Sequence, residues 1–210
     1  MICAIDIETK GLDATKFVLG TLWKDNCNKP EVFFEKEKLW NRLIELGKKE
    51  KARKRLLSAY AHNHQFDFYG YANLEEKGLK FYCTSPFMAG LEKDGQEIVR
   101  SYDTWAIFNM SLEKLGEVVG IPKKEMPTIK DKQLLIKYCA NDSLICLEAI
   151  KYLKSMLKSE GICLKRICTV SQVAIRYVIN KLKTAMNNEF IFYDWERGKV
   201  WHPKYRDIIH

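Results

Sequence analysis

The chain has 210 residues and a mass of 24.6 kDa, with 35 Lys+Arg against 27 Asp+Glu for a formal net charge of +8. A hydrophobic share of 47% beside 30% charge excludes a largely disordered chain, and no apolar run approaches the roughly 18 residues of a membrane span. The opening residues 1–8 lack the basic and apolar regions of a secretion signal, so a cytoplasmic protein with one main folded core is expected.

Apolar residues alternate through 1–8, the chain breaks at 10–13, and a second apolar run at 17–23 predicts a hairpin. Pro30 restarts a short strand at 32–34. Between Glu37 and Lys54, Leu39, Trp40, Leu43, Ile44 and Leu46 fall at helical spacing. Residues 56–61 read as a buried strand, followed by a helix over 66–77. Residues 81–84 and 97–102 add two strands, the second entered through Asp94-Gly95. Ser111 opens a short helix that ends at Val119 before Gly120, and Pro122 and Pro127 bracket a lysine-rich loop. A long helix is expected from Asp131 to about Ser159, its apolar face carried by Leu134, Tyr138, Ile145, Ala149 and Leu153. A second is expected over 164–186, built on Ile167, Val170, Ala174, Val178 and Leu182. Strands that come first and then alternate with helices predict an α/β fold, a mixed sheet flanked by helices. Residues 1–160 are expected to form its core and 161–210 a C-terminal helix and basic, aromatic tail packed on that core.

The seven cysteines are odd in number and contain no Cys-x-x-Cys pair, which favours reduced, buried thiols over a disulfide frame or a zinc site. A sequence pI near 9.0 fits a polyanionic partner. Residues 48–55 carry six positive charges and one Glu, which can attract phosphate or simply form a solvated helix end. The tail over 195–205 mixes aromatics with cations as single-strand binders do, and packing is the favoured role.

Three carboxylate motifs carry the chemistry. Asp6 and Glu8 end the first strand on one face, where two adjacent carboxylates resist burial unless a cation lies between them. His62-Asn63-His64-Gln65-Phe66-Asp67 follows a strand and opens a helix, placing Asp67 in a first turn that favours a carboxylate. Tyr138 and Asp142, four residues apart, share a helical face with apolar neighbours. Taken singly, each has a plain alternative: an exposed strand end, a helix terminus, or an Asp at the edge of an apolar stripe.

Together, their order and contexts resemble the 3′–5′ exonucleases with four acidic residues and a tyrosine. In that family the motifs are Asp-x-Glu, Asn-x-x-(x)-Phe-Asp and Tyr-x-x-x-Asp, matched by Asp6/Glu8, Asn63 with Phe66-Asp67, and Tyr138/Asp142. The chain is most similar to the proofreading domain of family B DNA polymerases of the protein-primed viral and plasmid type, and Tyr102-Asp103-Thr104 also looks like that subgroup. The resemblance covers about residues 1–155 and implies a ribonuclease-H-like fold acting on single-stranded DNA 3′ ends, alongside a separate replication protein and away from membranes. It implies two divalent ions, Mg²⁺ or Mn²⁺, about 3.5–4 Å apart. Asp6 would bridge both, Glu8 and Asp142 would hold the ion of the nucleophile, Asp67 would assist the other, and Tyr138 would orient the attacking water. A supporting lysine lies between the second and third motifs in such relatives, and Lys123 or Lys124 is the candidate. Thr9, Asn63 and Phe66 match positions that hold the substrate's 3′ end, and Thr104 and Trp105 fall where relatives contact single strands. Neither Tyr-x-Asp-Thr-Asp nor Ser-Leu-Tyr-Pro occurs, so no polymerase activity is expected. A complete small protein is favoured over an excised domain. An RNA exonuclease and a silent nucleic-acid- or protein-binding module are the alternatives.

Overall fold

The computed structural model describes residues 1–11, 16–69, 79–85, 88–128, 130–164, 166–185, 192–194, 199–202 and 205–208. In chain order its first half comprises β1 (Ile2–Thr9), β2 (Phe17–Lys24), β3 (Glu31–Phe33), α1 (Lys36–Ala52), β4 (Leu57–Ala61) and α2 (His64–Tyr69). The second half holds β5 (Leu79–Ser85), β6 (Met88–Lys93), β7 (Gln96–Asp103), α3 (Thr104–Phe108), α4 (Leu112–Val118), α5 (Lys132–Ser159) and α6 (Val170–Ala185). Three short strands close the chain: β8 (Phe192–Asp194), β9 (Lys199–His202) and β10 (Tyr205–Ile208).

Seven strands form one mixed sheet in the order β3-β2-β1-β4-β7-β6-β5. The three central strands β1, β4 and β7 are parallel, and antiparallel strands flank them on both sides. β1 lies inside because both of its faces are apolar. Cys3, Ile5 and Ile7 pack toward α1 with Leu39, Trp40 and Leu43, while Ala4 packs toward α5 with Tyr60, Tyr102 and Ile150. α1 can approach β7 closely because residue 47 is glycine: a Cβ there would stand 2.8 Å from the Ile98 carbonyl oxygen. The final three strands form a separate small sheet, β10-β9-β8.

Several expectations change. β6 lies outside the expected strands, since Met88-Ala89-Gly90-Leu91 lacks alternation. The signal was in the turn: Asp94 and Gly95 both have positive φ, the mirror-image turn of a two-residue hairpin, which requires a strand on each side. α2 begins at His64 rather than Phe66, and the remainder of that expected helix lies outside the described residues beyond residue 69. α3 was not foreseen; Asp103 caps it by accepting from the Trp105 amide. Ser111 and Asp131 cap α4 and α5 where expected. On α5, Leu134 is 49% exposed and the buried stripe runs through Leu135, Cys139, Asp142, Cys146, Ala149 and Ile150. α6 starts only at Val170, and the apolar face expected for it points outward: Val170, Val178 and Leu182 are exposed, whereas Ile167 is buried ahead of the helix. Cys3, Cys139 and Cys146 are buried free thiols as read, but Cys163 is exposed.

Candidate active site

Because β1, β4 and β7 are parallel, their C-terminal ends open together at one pole of the sheet. Asp6 and Glu8 alternate with Ile5 and Ile7, so they share the side of β1 that carries Ala4 and faces α5. α5 is fixed against the strand hairpin by polar contacts of its own backbone. The Thr21 hydroxyl donates to the Cys139 carbonyl at 3.1 Å, and Trp23 Nε1 donates to the Ala140 carbonyl at 2.8 Å. The Cys139 thiol donates in turn to the Asp6 carbonyl at 3.3 Å. This register sets Asp142, three residues beyond Cys139, beside the end of β1. Asp67 arrives from α2 and accepts the Ile7 amide on Oδ1 at 3.1 Å.

Four carboxylates from three elements are thus gathered, and three of them, Glu8, Asp67 and Asp142, are buried. Asp6 Oδ2 and Asp142 Oδ1 are buried with no hydrogen-bond partner. Burial pushes the Asp6 carboxyl well above the usual carboxylate range, and the charges of Asp67, Glu8 and Asp142 add to it. Asp67 is raised by burial and then by Glu8, Asp103 and Asp142, against the opposing pull of the Ile7 amide. Glu8 is pushed up to about 7 by burial and by Asp142. Asp142 is raised by burial despite Lys123 beside it. Anions that have lost their water and face one another are stabilised by a cation among them. Ligand atoms of Asp6, Glu8 and Cys139 lie within 4.8 Å of one another, as a metal group would need. The Cys139 thiol is held far above its ordinary pKa by burial, so the hard oxygens are the donors that fit such a cation.

Of the two candidate lysines, the structure brings Lys123 to this cluster. Its ammonium donates to the Tyr138 hydroxyl at 2.8 Å and to Asp142 Oδ2, whereas Lys124 is exposed with Nζ 3.5 Å from the Lys137 carbonyl. Burial lowers the Lys123 pKa, but its bonds to Asp142 and Tyr138 outweigh this and hold it above the ordinary lysine value. The loop carrying Lys123 is set by two residues that sequence reasoning passed over. Asn141 Nδ2 donates to the Pro122 carbonyl at 3.1 Å. Gly116 accepts the Ile121 amide at 2.8 Å, and a Cβ at 116 would come within 2.4 Å of the Ile121 carbonyl. Asn141 could have been suspected from its position beside Asp142 on an inward helix; Gly116 left no signal beyond being a glycine in a short helix.

The expected substrate residues divide. Asn63 is exposed in the left-handed conformation (φ 60°), its amide held by Asp103 Oδ1 at 3.0 Å, and Phe66 is half-buried against the α1-side core. Thr9 is buried and donates its hydroxyl to the Gly11 carbonyl at 2.6 Å. Thr104 is fully buried, bonded to the Ala61 carbonyl and to His62 Nδ1, while Trp105 next to it is 45% exposed. Asp103, missed as part of the site, links these parts by holding Asn63 and the start of α3 and by facing His64 at 3.6 Å. The aromatic–basic stretch 195–198 lies outside the described residues.

No family model matches the sequence, and no curated protein does. Among solved structures, the chain is similar to phi29 DNA polymerase complexed with single-stranded DNA, with a TM-score of 0.59 and 16% identity over 90% of this chain and 36% of that one. Phi29 DNA polymerase complexed with primer-template DNA in a post-translocation binary complex gives a TM-score of 0.60 and 15% identity, with 90% and 36% covered. Its ternary complex with primer-template DNA and incoming nucleotides gives 0.59 and 15%, with 93% and 40% covered. The chain therefore spans about two-fifths of the length of these polymerases. At such identity the likeness is one of fold: a ribonuclease-H-like α/β sheet flanked by helices. No helix among the described residues is long and apolar enough to cross a membrane.

Proposed function

We propose that the chain is a metal-dependent nuclease of the four-acid, one-tyrosine type that removes nucleotides from the 3′ end of single-stranded DNA. One observation carries the reading: four mutually repelling carboxylates converge at one end of the sheet beside a paired lysine and tyrosine, and two of them, Asp6 and Asp142, keep a buried oxygen without a hydrogen-bond partner. A fold core has no need of such an arrangement, which raises the free energy of the protein by itself. The similarity of fold to polymerases solved with single-stranded and primer-template DNA supports the choice of substrate.

The residues present fit divalent cations: Asp6, Glu8, Asp67 and Asp142 would hold them, with the free oxygens of Asp6 and Asp142 as natural ligands. Bound there, Mg²⁺ or Mn²⁺ supplies the positive charge that activates water and offsets charge building on the phosphate and the leaving oxygen. Asp67 meets this task with one oxygen already fixed by the Ile7 amide, which sets the direction of the other. The Tyr138 oxygen accepts from Lys123, and its O–H bonds Asp142, from which it would turn to donate toward an attacking water or a phosphate oxygen. Lys123 orients that hydroxyl and favours the charged form of Asp142 beside it, against the burial that raises the carboxyl. Asn63 and Trp105, both exposed, provide the surface for the terminal nucleotides, and a separate replication protein would act on the same ends.

The test is digestion of 5′-labelled single-stranded DNA and matched RNA with Mg²⁺, with Mn²⁺ and with EDTA, beside the Asp6→Ala protein. A metal-dependent ladder shortening from the DNA 3′ end and absent in the variant is expected. Preferred cleavage of RNA would change the substrate, and an active Asp6→Ala protein would sink the metal site.

A further inference from the structure

The pole opposite the carboxylates carries a second feature that the proposed reaction does not use. β1, β4 and β7 begin there, about 20 Å from their other ends at roughly 3.3 Å per residue. A cleft of about 840 Å³ opens at their starts, lined by Lys51, Lys54, Arg55, Lys154 and Arg166. Its acidic members are Asp25 and Glu97, and Asp25 is turned to the Ile2 amide at 3.0 Å. Arg166 also lines an adjoining cleft of about 680 Å³ with Arg100, Arg176 and Lys183. On the other side, Lys51 is shared with a third cleft that holds Lys48 and Lys93 beside Asp94. The three clefts, joined through Arg166 and Lys51, thus form one groove that carries ten basic and three acidic side chains among the described residues. This groove absorbs most of the basic run at 48–55 and accounts for one side of α6, whose residues 172, 176, 179, 180 and 183 line the groove while Val170, Ile175, Val178 and Leu182 are exposed.

The groove is built for a long polyanion rather than a single phosphate, because the charges are spread along three joined clefts. Lys154 and Lys183 are both held below the ordinary lysine value by burial, and Lys183 also by Arg176 beside it. The crowded ammonium of Lys183 gains from an anion in the groove, whereas Lys154 has Asp25 as a partial counter-charge. Among the described residues none that lines the groove is aromatic, so they offer charge and no stacking platform. We propose that this groove is a second nucleic-acid site, which holds the phosphodiester backbone without regard to sequence and tethers the strand at the pole away from the cleaved end. The choice of nucleic acid over another polyanion rests on the function proposed above.

The test uses the full chain, EDTA and a closed circle of single-stranded DNA, which offers no 3′ end to the carboxylate pole. Binding is read by fluorescence anisotropy across a salt series. A Lys51→Gln/Arg166→Gln/Arg176→Gln variant with wild-type thermal unfolding is expected to bind the circle about tenfold more weakly and to lower the slope of log Kd against log salt by about 2. A Lys48→Gln/Lys93→Gln variant at the end of the groove should show a smaller loss of the same kind and replaces the triple variant should that one unfold. Unchanged affinity and slope in the folded variants would overturn the groove. Poly-glutamate bound as tightly as the circle would overturn nucleic acid as its occupant. Trimming of a short 3′-ended oligonucleotide, too short to reach the groove, is scored in parallel with Mg²⁺. Trimming without circle binding overturns the groove and leaves the exonuclease reading; circle binding through the groove without trimming does the reverse.

Discussion

Buried carboxylates occur at both poles of the central strands, and they behave in opposite ways. At the basic pole Glu50 is 1% exposed, yet it is met by the N-terminal ammonium at 2.8 Å, by Arg55 at 2.9 Å and by Arg53 at 3.3 Å. Burial pushes its carboxyl up, but these cations outweigh burial and hold it below its ordinary value. At the other pole Glu8 and Asp67 are buried and Asp6 half-buried, the three meet mostly one another, and all are raised. Burial alone therefore does not mark a site. What distinguishes an anchor from a reaction centre is whether the protein supplies its own counter-charge or leaves that position for something else.

The comparison can be broken in four ways. Among the described residues Lys123 is the one cation that meets the acidic cluster, and Lys123→Gln should slow single-turnover cleavage about 100-fold while metal affinity stays near wild type. A matching collapse of metal affinity would make Lys123 part of metal binding rather than of orientation. At the other pole Glu50→Ala should cost about 2 kcal/mol in urea unfolding, less than for a fully buried pair because Arg53 and Arg55 can return to water. A neutral result would mean that the N-terminal ammonium contributes nothing to the anchor. Tyr138→Phe should reduce the cleavage rate roughly tenfold, since Lys123 and the acids remain in place; a loss equal to that of Asp142→Ala would mean the hydroxyl does far more than orient water.

The fourth concerns pH, and here the two poles should separate by sign. Glu8 has a raised folded-state pKa, so its contribution is present below the ordinary glutamate value and is lost as pH rises through about 7. In EDTA the melting temperature should therefore fall by a few degrees between pH 5 and 8, and Glu8→Gln should flatten that fall. Glu50 has a lowered pKa, so its contribution is present above the ordinary value and is lost as pH drops below it. Glu50→Gln should flatten only this acid limb. A wild-type curve that rises from pH 5 to 8 in EDTA would contradict the enclosed, unpaired state of the acidic pole.

Much of this organisation was readable from the residues. Asp6 and Glu8 alternate with Ile5 and Ile7, which put two charges on one side of a strand that had to be inside, and Tyr138 and Asp142 lie one helical turn apart. Those patterns are local, and local periodicity survives folding. What escaped was set by tertiary approach. Lys123 and Lys124 are neighbours in an irregular loop, and only the hydrogen bond that Asn141 donates to the Pro122 carbonyl and the space left by Gly116 decide which ammonium reaches Tyr138. Thr104 looked available to a strand, yet the cap that Asp103 places on α3 turns it inward. The outward apolar face of α6 was invisible for the converse reason: periodicity identifies an amphipathic helix and is silent on which side meets the core.

The parallel arrangement of β1, β4 and β7 also governs how the chain can be made. β1 needs α1 on one face and α5 on the other, and these end at residues 52 and 159. During synthesis from the N-terminus, the α1 side of the sheet can close early, while the side holding Ala4, Asp6, Tyr60 and Tyr102 stays uncovered until α5 has emerged. The carboxylates keep part of that waiting surface hydrated, so the residues that cost the finished fold most are also those that protect the unfinished one from sticking to its neighbours.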